Sequence, residues 1–428
     1  MVFRMKVKSA QHQISQPNQT ARPGPRPLAL HLANAATNWT SSLAALPLAK
    51  NGSLPWKKEL REEAQALRRA LEKQSPEALS AALGAEIRHR MASFVSGIEC
   101  YHQHPYRRRF SAAFGEPPTW WQDGSSSMLD YGPDLAGQEV PTVLFVPSLI
   151  NRGYILDLSR QRSLMRYLAA AGIRPLLLEW GAPLGEERQF SLDNYVAGRL
   201  NGAIDAALET AGQPIGLAGY CMGGLLAIPP ALARPADISS LILMATPWDF
   251  RSGRQREIIA VCKPAFEAMI SALGVLPVDA IQALFAALDP LLAARKFSHF
   301  AGLEPGSAPA RNFVALEDWL NDGVDLSAGV ARDCLFGWYE ENRPAHGRWR
   351  IAGQTINPGR LSQPVLNIVP ARDRIVPPES AEPLSALIPR AETWRPALGH
   401  IGMIASPRAK RTLWRQLANW IKSPGKTA

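Results

Sequence analysis

The segment Gly219-Tyr-Cys-Met-Gly-Gly224 follows the apolar run 214–218 and precedes a helical pattern that begins at Leu225. A nucleophile flanked by glycines between a strand and a helix is typical of a sharp turn that lifts its side chain out of a sheet. The next backbone N–H, that of Met222, can then donate to an oxyanion. The segment predicts that Cys221 is a nucleophile. A buried structural cysteine in a tight turn is the alternative interpretation.

Short apolar runs like the one before Cys221 recur along the chain, each followed by a glycine-bearing turn and a helical pattern. They are residues 142–146, 174–178, 214–218, 241–245 and 365–369. Near-continuous apolar strands that alternate with helices predict a mostly parallel sheet covered on both faces. Between Phe250 and about Gly353 the strand signals fade into a helical, aromatic pattern. We therefore expect a catalytic domain at 111–428 with a helical cap insertion at about 251–353.

The N-terminal 110 residues differ from this body in charge. They hold 17 basic and 7 acidic residues, so their net charge of +10 equals that of the whole chain. Residues 1–50 are rich in Gln, Asn, Pro, Ala and Ser and are expected to be mobile. A helical part follows, in which Ser75 is predicted to cap a helix that starts at Pro76. Such a basic extension can meet an anionic surface or an anionic substrate, or be a solvated appendage.

Composition excludes several other classes of protein. Hydrophobic residues make up 46% and charged residues 20% of the chain, which excludes wholesale disorder, collagen and coiled coil. No apolar run reaches about 18 residues, so no transmembrane helix is expected, and the N-terminus lacks the apolar core of a secretory signal. No nucleic-acid-binding motif accompanies the basic charge, so nucleic acid is not an expected partner.

The sequence gives no sign of a cofactor. The sequence contains neither a dinucleotide fingerprint nor a phosphate-binding loop, and no metal site is expected. Four cysteines are too few for a disulfide scaffold and are not spaced for zinc, which favours a reducing cytoplasm. Apart from Cys221, these cysteines are expected to be packing residues: Cys100, Cys262 and Cys334.

Partners for the nucleophile are expected downstream, on loops after late strands, with the acid before the histidine. Asp373 follows the run 365–369, and His400 stands beside Gly399 in an otherwise apolar loop. We predict that His400 takes the thiol proton and that Asp373 holds the tautomer of its ring. Asp249, after the run 241–245, is an alternative acid.

The remaining histidines have weaker contexts. His102 and His104 are predicted to lie at the surface of the N-terminal region, and His299 and His346 lack a comparable loop. A second oxyanion donor is expected from the turn Pro147-Ser-Leu-Ile-Asn151, through the backbone N–H of Leu149 or Ile150.

Several separated stretches, in the same order, resemble polyhydroxyalkanoate synthases. The lipase-box-like Gly219-Tyr-Cys-Met-Gly-Gly224 is similar to the cysteine version found in that family. The others are Phe145-Val-Pro-Ser-Leu-Ile-Asn-Arg-Gly-Tyr-Ile-Leu-Asp157, Trp319-Leu-Asn-Asp322, Trp338-Tyr-Glu-Glu-Asn342, Arg372-Asp-Arg-Ile-Val-Pro377 and Gly399-His-Ile401.

This resemblance implies an α/β-hydrolase fold and an acyltransferase that polymerises 3-hydroxyacyl-CoA into polyester with release of CoA. The family's catalytic cysteine, aspartate and histidine correspond to Cys221, Asp373 and His400, and the acyl chain would be carried on the cysteine. Acyl-CoA is then a substrate rather than a cofactor. The resemblance also implies a cytoplasmic protein associated with polyester granules, and leaves a homodimer or a partner subunit open.

The chain also departs from the family pattern. Arg374 stands where the family usually has a histidine, the asparagine-rich continuation after the histidine loop is missing, and the N-terminal region does not match. Two alternatives therefore stay open. One is a thioesterase or polyester depolymerase with the same three residues, and the other is a catalytically inactive granule-associated protein.

Overall fold

The apolar runs of the sequence become neighbouring strands of one sheet. The structure is a computed structural model that describes residues 22–108, 115–251 and 255–425. Its strands, in chain order, are β1 (Thr119–Asp123), β2 (Ser126–Asp130), β3 (Thr142–Val146), β4 (Asp157–Ser159), β5 (Arg162–Ser163), β6 (Arg174–Glu179), β7 (Ile215–Tyr220), β8 (Ile238–Met244), β9 (Val275–Leu276), β10 (Leu326–Ser327), β11 (Arg350–Ile351), β12 (Gln354–Thr355), β13 (Val365–Ile368) and β14 (Ala391–Trp394).

Among the described residues, eight strands form the main sheet in the order β1-β2-β6-β3-β7-β8-β13-β14. The strands from β6 to β14 run parallel, and β1 and β2 add an antiparallel edge. The predicted mostly parallel sheet is confirmed. Because the carboxyl ends of parallel strands share one edge, the turns after β3, β7, β8 and β13 converge there.

Helices cover both faces of this sheet, and others form the N-terminal region and the insertion. In chain order they are α1 (Leu28–Asn51), α2 (Arg61–Glu72), α3 (Pro76–Gln103), α4 (Leu164–Ala170), α5 (Asn201–Ala211), α6 (Met222–Ala233), α7 (Gln255–Leu273), α8 (Val278–Ala286), α9 (Leu292–Ala301), α10 (Ala308–Asn321), α11 (Ala328–Arg332), α12 (Pro378–Leu387), α13 (Gly402–Ala405) and α14 (Arg415–Lys422). Shorter π-helical stretches span Asn194–Leu200, Asp333–Glu340 and Lys410–Trp414.

Strand β3 shows how the two faces are filled. Leu144 and Val146 belong to one buried cluster with residues of α5 and α6, whereas Val143 and Phe145 belong to a second cluster with residues of α4 and α14. Side chains alternate between the faces of a strand, so a strand buried on both faces is apolar throughout. This explains the unbroken apolar runs in the sequence.

The elements from α7 to α11 lie in the connection between β8 and β13. They meet the sheet's carboxyl edge at the turn after β3, where Asn151 forms a bridge with Gly323 and Ile150 accepts a hydrogen bond from the backbone of Val324. This insertion also packs against the N-terminal helices, because α3 and α9 share the aromatic cluster of Phe94, Tyr101 and Phe297. The insertion thus contacts both the site edge and the N-terminal helices.

The N-terminal region is more ordered than the sequence indicated. Residues 1–21 lie outside the described residues, but residues 28–50 of the expected mobile start belong to α1. Ala and Leu favour a helix, and one face of α1 joins the cluster with α3 and α9 through Ala35 and Trp39. Helix α3 begins as predicted, with the hydroxyl of Ser75 accepting from the N–H of Ala78. No helix in the described segments combines the length and the apolarity needed to cross a membrane.

Arg22 attaches the segment before α1 to two other elements. Its side chain is 2% exposed and pairs with Asp318 of α10 at 2.5 Å. The same guanidinium donates to the carbonyls of Tyr101, His104 and Tyr106 at the end of α3. A buried guanidinium needs this many acceptors to compensate for its lost hydration.

Replacement of Arg22 by Met should lower the free energy of unfolding by about 3 kcal/mol or more, because Asp318 loses its ion-pair partner and three carbonyls lose a charged donor. Arg26→Met is the matched control in the same segment. Its pair with Asp279 is more solvated, with exposed fractions of 32% and 49%, so the expected loss is about 1 kcal/mol or less. Urea unfolding followed by circular dichroism measures both. Equal losses would contradict the assigned role of Arg22.

Candidate active site

Cys221 occupies a strained turn between the central strand and its helix. Strand β7 ends at Tyr220 and α6 begins at Met222, so Cys221 stands alone at the junction with φ 56° and ψ −124°. A positive φ is uncommon for a residue with a side chain and persists only where the surroundings enforce it. The turn therefore has the geometry that the sequence analysis predicted for a nucleophile.

The glycines beside Cys221 are required by close contacts. A Cβ atom at Gly223 would overlap the carbonyl oxygen of Val146 in β3, and one at Gly224 would overlap the hydroxyl of Thr246. Helix α6 can approach the strand ends only because these side chains are absent. The glycine pattern in the sequence is thus explained by packing.

His400 and Asp373 form a buried hydrogen-bonded pair next to this turn. The Nδ1–H of His400 donates to Oδ2 of Asp373 at 2.7 Å, and the exposed fractions of the two side chains are 7% and 0%. The other carboxylate oxygen accepts from the backbone N–H groups of Ile375 and Val376. Because an ionised carboxylate only accepts, it fixes the ring tautomer and leaves Nε2 for another partner.

That partner is the thiol of Cys221, which is hydrogen-bonded to the His400 ring. Burial lowers the pKa of His400, but the negative charge on Cys221 and the hydrogen bonds to Asp373 and Cys221 outweigh it and raise the pKa to about 10. At neutral pH the imidazole therefore keeps its proton beside the side chain of Cys221. A protonated histidine next to a cysteine is the arrangement that favours a reactive thiolate.

The alternative acid, Asp249, lies in a different network. It pairs with Arg251 at 2.6 Å and accepts a hydrogen bond from Asn342. The hydrogen bonds from Arg251 are the main reason why the pKa of Asp249 is lowered to about 2. Of the two aspartates, Asp373 is the one that the structure brings to His400.

Two of the predictions made for the other histidines and cysteines are wrong. His104 is buried rather than at the surface, because the insertion covers the end of α3 and the carbonyl of Pro305 bonds to its ring. Cys100 is exposed on α3 rather than packed. His102 and His346 are exposed and bond to backbone carbonyls, and His299 lies on α9.

Cys334 is buried in the insertion, and its burial raises the pKa of the thiol. Cys262, on α7, is half-buried. All four thiols are free. Cys334 and Cys262 are therefore placed as packing residues, as the sequence predicted.

The backbone N–H groups of Met222 and Ile150, the two expected oxyanion donors, have different surroundings in the structure. Met222 is the first residue of α6, where helix geometry leaves backbone N–H groups without a carbonyl partner. The N–H of Ile150 instead donates to the hydroxyl of Ser148 at 3.1 Å. A serine two residues upstream competes for such a donor, and this local signal was missed. Leu149, the other residue named for this turn, is buried beside it.

Apolar residues form the wall around the thiol. Cys221 packs against a cluster of Val369, Val376 and Ala381, with Ile375 beside it. Burial, followed by interactions with Cys221 and Cys334, raises the pKa of the hydroxyl of Tyr339, which belongs to the insertion. Within the described ranges no group of three or more His, Cys, Asp or Glu side chains is placed to hold a metal ion.

Alkylation of Cys221 by iodoacetamide should be almost independent of pH between about pH 6 and 9, because His400, with its raised pKa, stays protonated over this range and a protonated histidine favours the thiolate. In His400→Ala the rate should fall about tenfold per unit as the pH drops below about 8.5, as for an ordinary thiol. Peptide-level mass spectrometry measures the rates, and the exposed Cys100 is an internal comparison. A wild-type profile that matches that of Cys100 would contradict the ion pair.

The chain is similar to known proteins. A family profile described as alpha/beta hydrolase fold matches residues 141–406. A poly(3-hydroxyalkanoate) polymerase subunit PhaC from Haloferax mediterranei is 30% identical over 314 residues, which is 72% of this chain and 64% of the relative. The corresponding subunit from Haloarcula marismortui is 28% identical, over 70% of this chain and 66% of the relative.

A third subunit of the same name, from Synechocystis sp., is 30% identical over 65% of this chain and 77% of its own length. The chain thus spans about two thirds of the length of the Haloferax and Haloarcula relatives and a larger share of the Synechocystis relative. It belongs to the poly(3-hydroxyalkanoate) polymerase PhaC family, as a divergent member with the α/β-hydrolase fold.

Proposed function

We propose that this chain polymerises 3-hydroxyacyl-CoA thioesters into a polyester, with release of CoA, through an acyl group carried on Cys221. The observation that carries the proposal is the contact of a strained cysteine with a buried His400–Asp373 pair in a PhaC-family chain. The acyl-CoA thioester is the substrate in this scheme and CoA is a product, and the proposed reaction uses no cofactor or metal.

In the first half of the reaction the thiolate of Cys221 attacks the thioester carbonyl. The N–H of Met222 donates to the oxyanion, with a second donor from the turn after β3. When the bond to the CoA sulfur breaks, the proton on His400 passes to that sulfur and CoA leaves. Asp373 holds the ring in one orientation throughout.

In the second half, His400 takes the proton from the 3-hydroxyl group of another acyl unit. The resulting oxygen attacks the acyl-cysteine carbonyl, an ester bond forms, and the Cys221 sulfur leaves. The chain then grows by one unit for each cycle. His400 gives its proton to the CoA sulfur in the first half and takes one from the hydroxyl group in the second, so each cycle returns the site to its starting state.

Hydrolysis by the same three residues is the main competing function. A thioesterase or depolymerase must admit water to the acyl-cysteine, whereas a polymerase must keep water out until a hydroxyl group arrives. The apolar wall of Val369, Val376 and Ile375 beside Cys221 favours exclusion of water. A catalytically inactive granule protein would have no use for the thiolate–imidazolium pair.

We propose the cytoplasm and the surface of polyester granules as the place of this reaction. The first two helices and their connection expose large apolar side chains, among them Trp56, Leu60 and Leu67, next to the exposed Lys57 and Lys58. Such a surface suits an apolar polymer with an anionic coat. A homodimer or a partner subunit is compatible with the proposal.

Purified protein incubated with 3-hydroxybutyryl-CoA should release CoA and form an insoluble polyester that grows with time. Cys221→Ala should lose this activity by about 10⁴-fold or more, because no acyl carrier is left. A thiol reagent measures CoA, and size-exclusion chromatography in an organic solvent measures the polymer. Free hydroxy acid as the product would make the chain a hydrolase, and release of CoA by the mutant would exclude Cys221.

Asp373→Asn should reduce the turnover number by about 10²- to 10⁴-fold, because the amide no longer fixes the histidine tautomer. Asp249→Asn is the matched control, and it should cost less than about fivefold since its amide oxygen still accepts from Asn342. Initial rates of CoA release compare the two. A larger loss in the Asp249 variant would reverse the assignment of the acid.

A further inference from the structure

Tyr220, the residue immediately before the cysteine, makes two contacts with His400. Its hydroxyl donates to the His400 carbonyl oxygen at 3.2 Å. Its ring centroid lies 5.2 Å from that of the imidazole, with an angle of 34° between the planes. The side chain is buried at the end of β7, at the carboxyl edge of the sheet.

The loop that carries His400 is held at successive residues. We define the histidine loop as residues 398–401, between β14 and α13. The carbonyl of Leu398 accepts from the backbone of Arg372, and that of Gly399 accepts from the backbone of Met403. Among the described residues, Tyr220 provides the donor for the carbonyl of His400 itself. This bond connects the histidine loop to the central strand.

We propose that Tyr220 is a positioning residue that sets the distance between His400 and Cys221. The two partners come from distant parts of the chain, but Tyr220 is covalently bonded to Cys221 and holds the backbone of His400. Two neighbouring residues therefore have linked roles: Cys221 is the nucleophile, and Tyr220 holds the backbone of His400, the base. The inference rests on the proposed function, since it gives a role to the pair that the reaction uses.

The local chemistry fits a permanent donor at this position. Burial, followed by the charges of Cys221 and Asp373, raises the pKa of Tyr220 well above its usual value, so the hydroxyl keeps its proton. The carbonyl it serves belongs to a residue that is buried. Loss of the donor would leave that oxygen unpaired away from water, and the loop would have to move to satisfy it.

The test compares Tyr220→Phe, which keeps the ring and removes the donor, with Tyr131→Phe. Tyr131 also donates one hydrogen bond from a half-buried phenol, at 3.1 Å to Asp157, which is not one of the three site residues. In Tyr220→Phe the turnover number should fall about tenfold with little change in KM, because Tyr220 is buried and acts through His400. In Tyr131→Phe both constants should stay within about twofold of wild type.

Alkylation of Cys221 gives a second readout that needs no turnover. In Tyr220→Phe the rate at pH 7 should fall about fivefold and recover above pH 9, as expected when the histidine holds the thiol proton less well. This arm remains valid if the chain proves to be a hydrolase, so failure of the positioning role and failure of the polymerase proposal are distinguishable. A folded Tyr220→Phe protein with a wild-type profile would overturn the inference.

A variant with 4-aminophenylalanine at position 220 covers the case in which Tyr220→Phe does not fold. Its amino group keeps a donor at the same place, so both the alkylation profile and the turnover number should return to within about threefold of wild type. Thermal melting establishes folding for each variant. A folded 4-aminophenylalanine variant in which the alkylation rate at pH 7 is about fivefold or more below that of the wild type would also contradict the role of the hydrogen bond.

Discussion

The left-handed backbone of Cys221 is the constraint on which the site depends. It turns the chain from the end of β7 into α6 within one residue, and only glycine fits where the helix then meets the neighbouring strands. The same turn starts a helix at Met222, and the first backbone N–H groups of a helix have no carbonyl partner within it. Strain at this residue is retained because the packed sheet around it leaves no other path.

Electrostatic interactions connect the three residues of the site. The buried carboxylate of Asp373 holds the ring of His400, and the ring holds the sulfur of Cys221. Each of these polar groups has a hydrogen-bond partner in the next one, which is why the three coexist among apolar side chains. The apolar wall strengthens these interactions and keeps water from the acyl group that we propose on the cysteine.

Local patterns in the sequence were sufficient for much of this arrangement. Unbroken apolar runs predicted the parallel sheet, the glycine-flanked Cys221 predicted the turn, and chain order after late strands pointed to Asp373 and His400. Contacts between distant residues were not predictable. The burial of His104 depends on the insertion, the order of residues 28–51 depends on α3 and α9, and the Tyr220–His400 bond joins residues 180 apart. No local pattern carries such information.

The central claim is that Cys221 carries the growing chain. Rapid acid quenching of the protein with 3-hydroxybutyryl-CoA, followed by peptide mass spectrometry, tests it most directly. We predict a 3-hydroxybutyryl group, or a short oligomer of it, on the peptide that contains Cys221, released by hydroxylamine as expected for a thioester. CoA turnover with no acyl group on Cys221, or with the acyl group on another residue, would contradict the account.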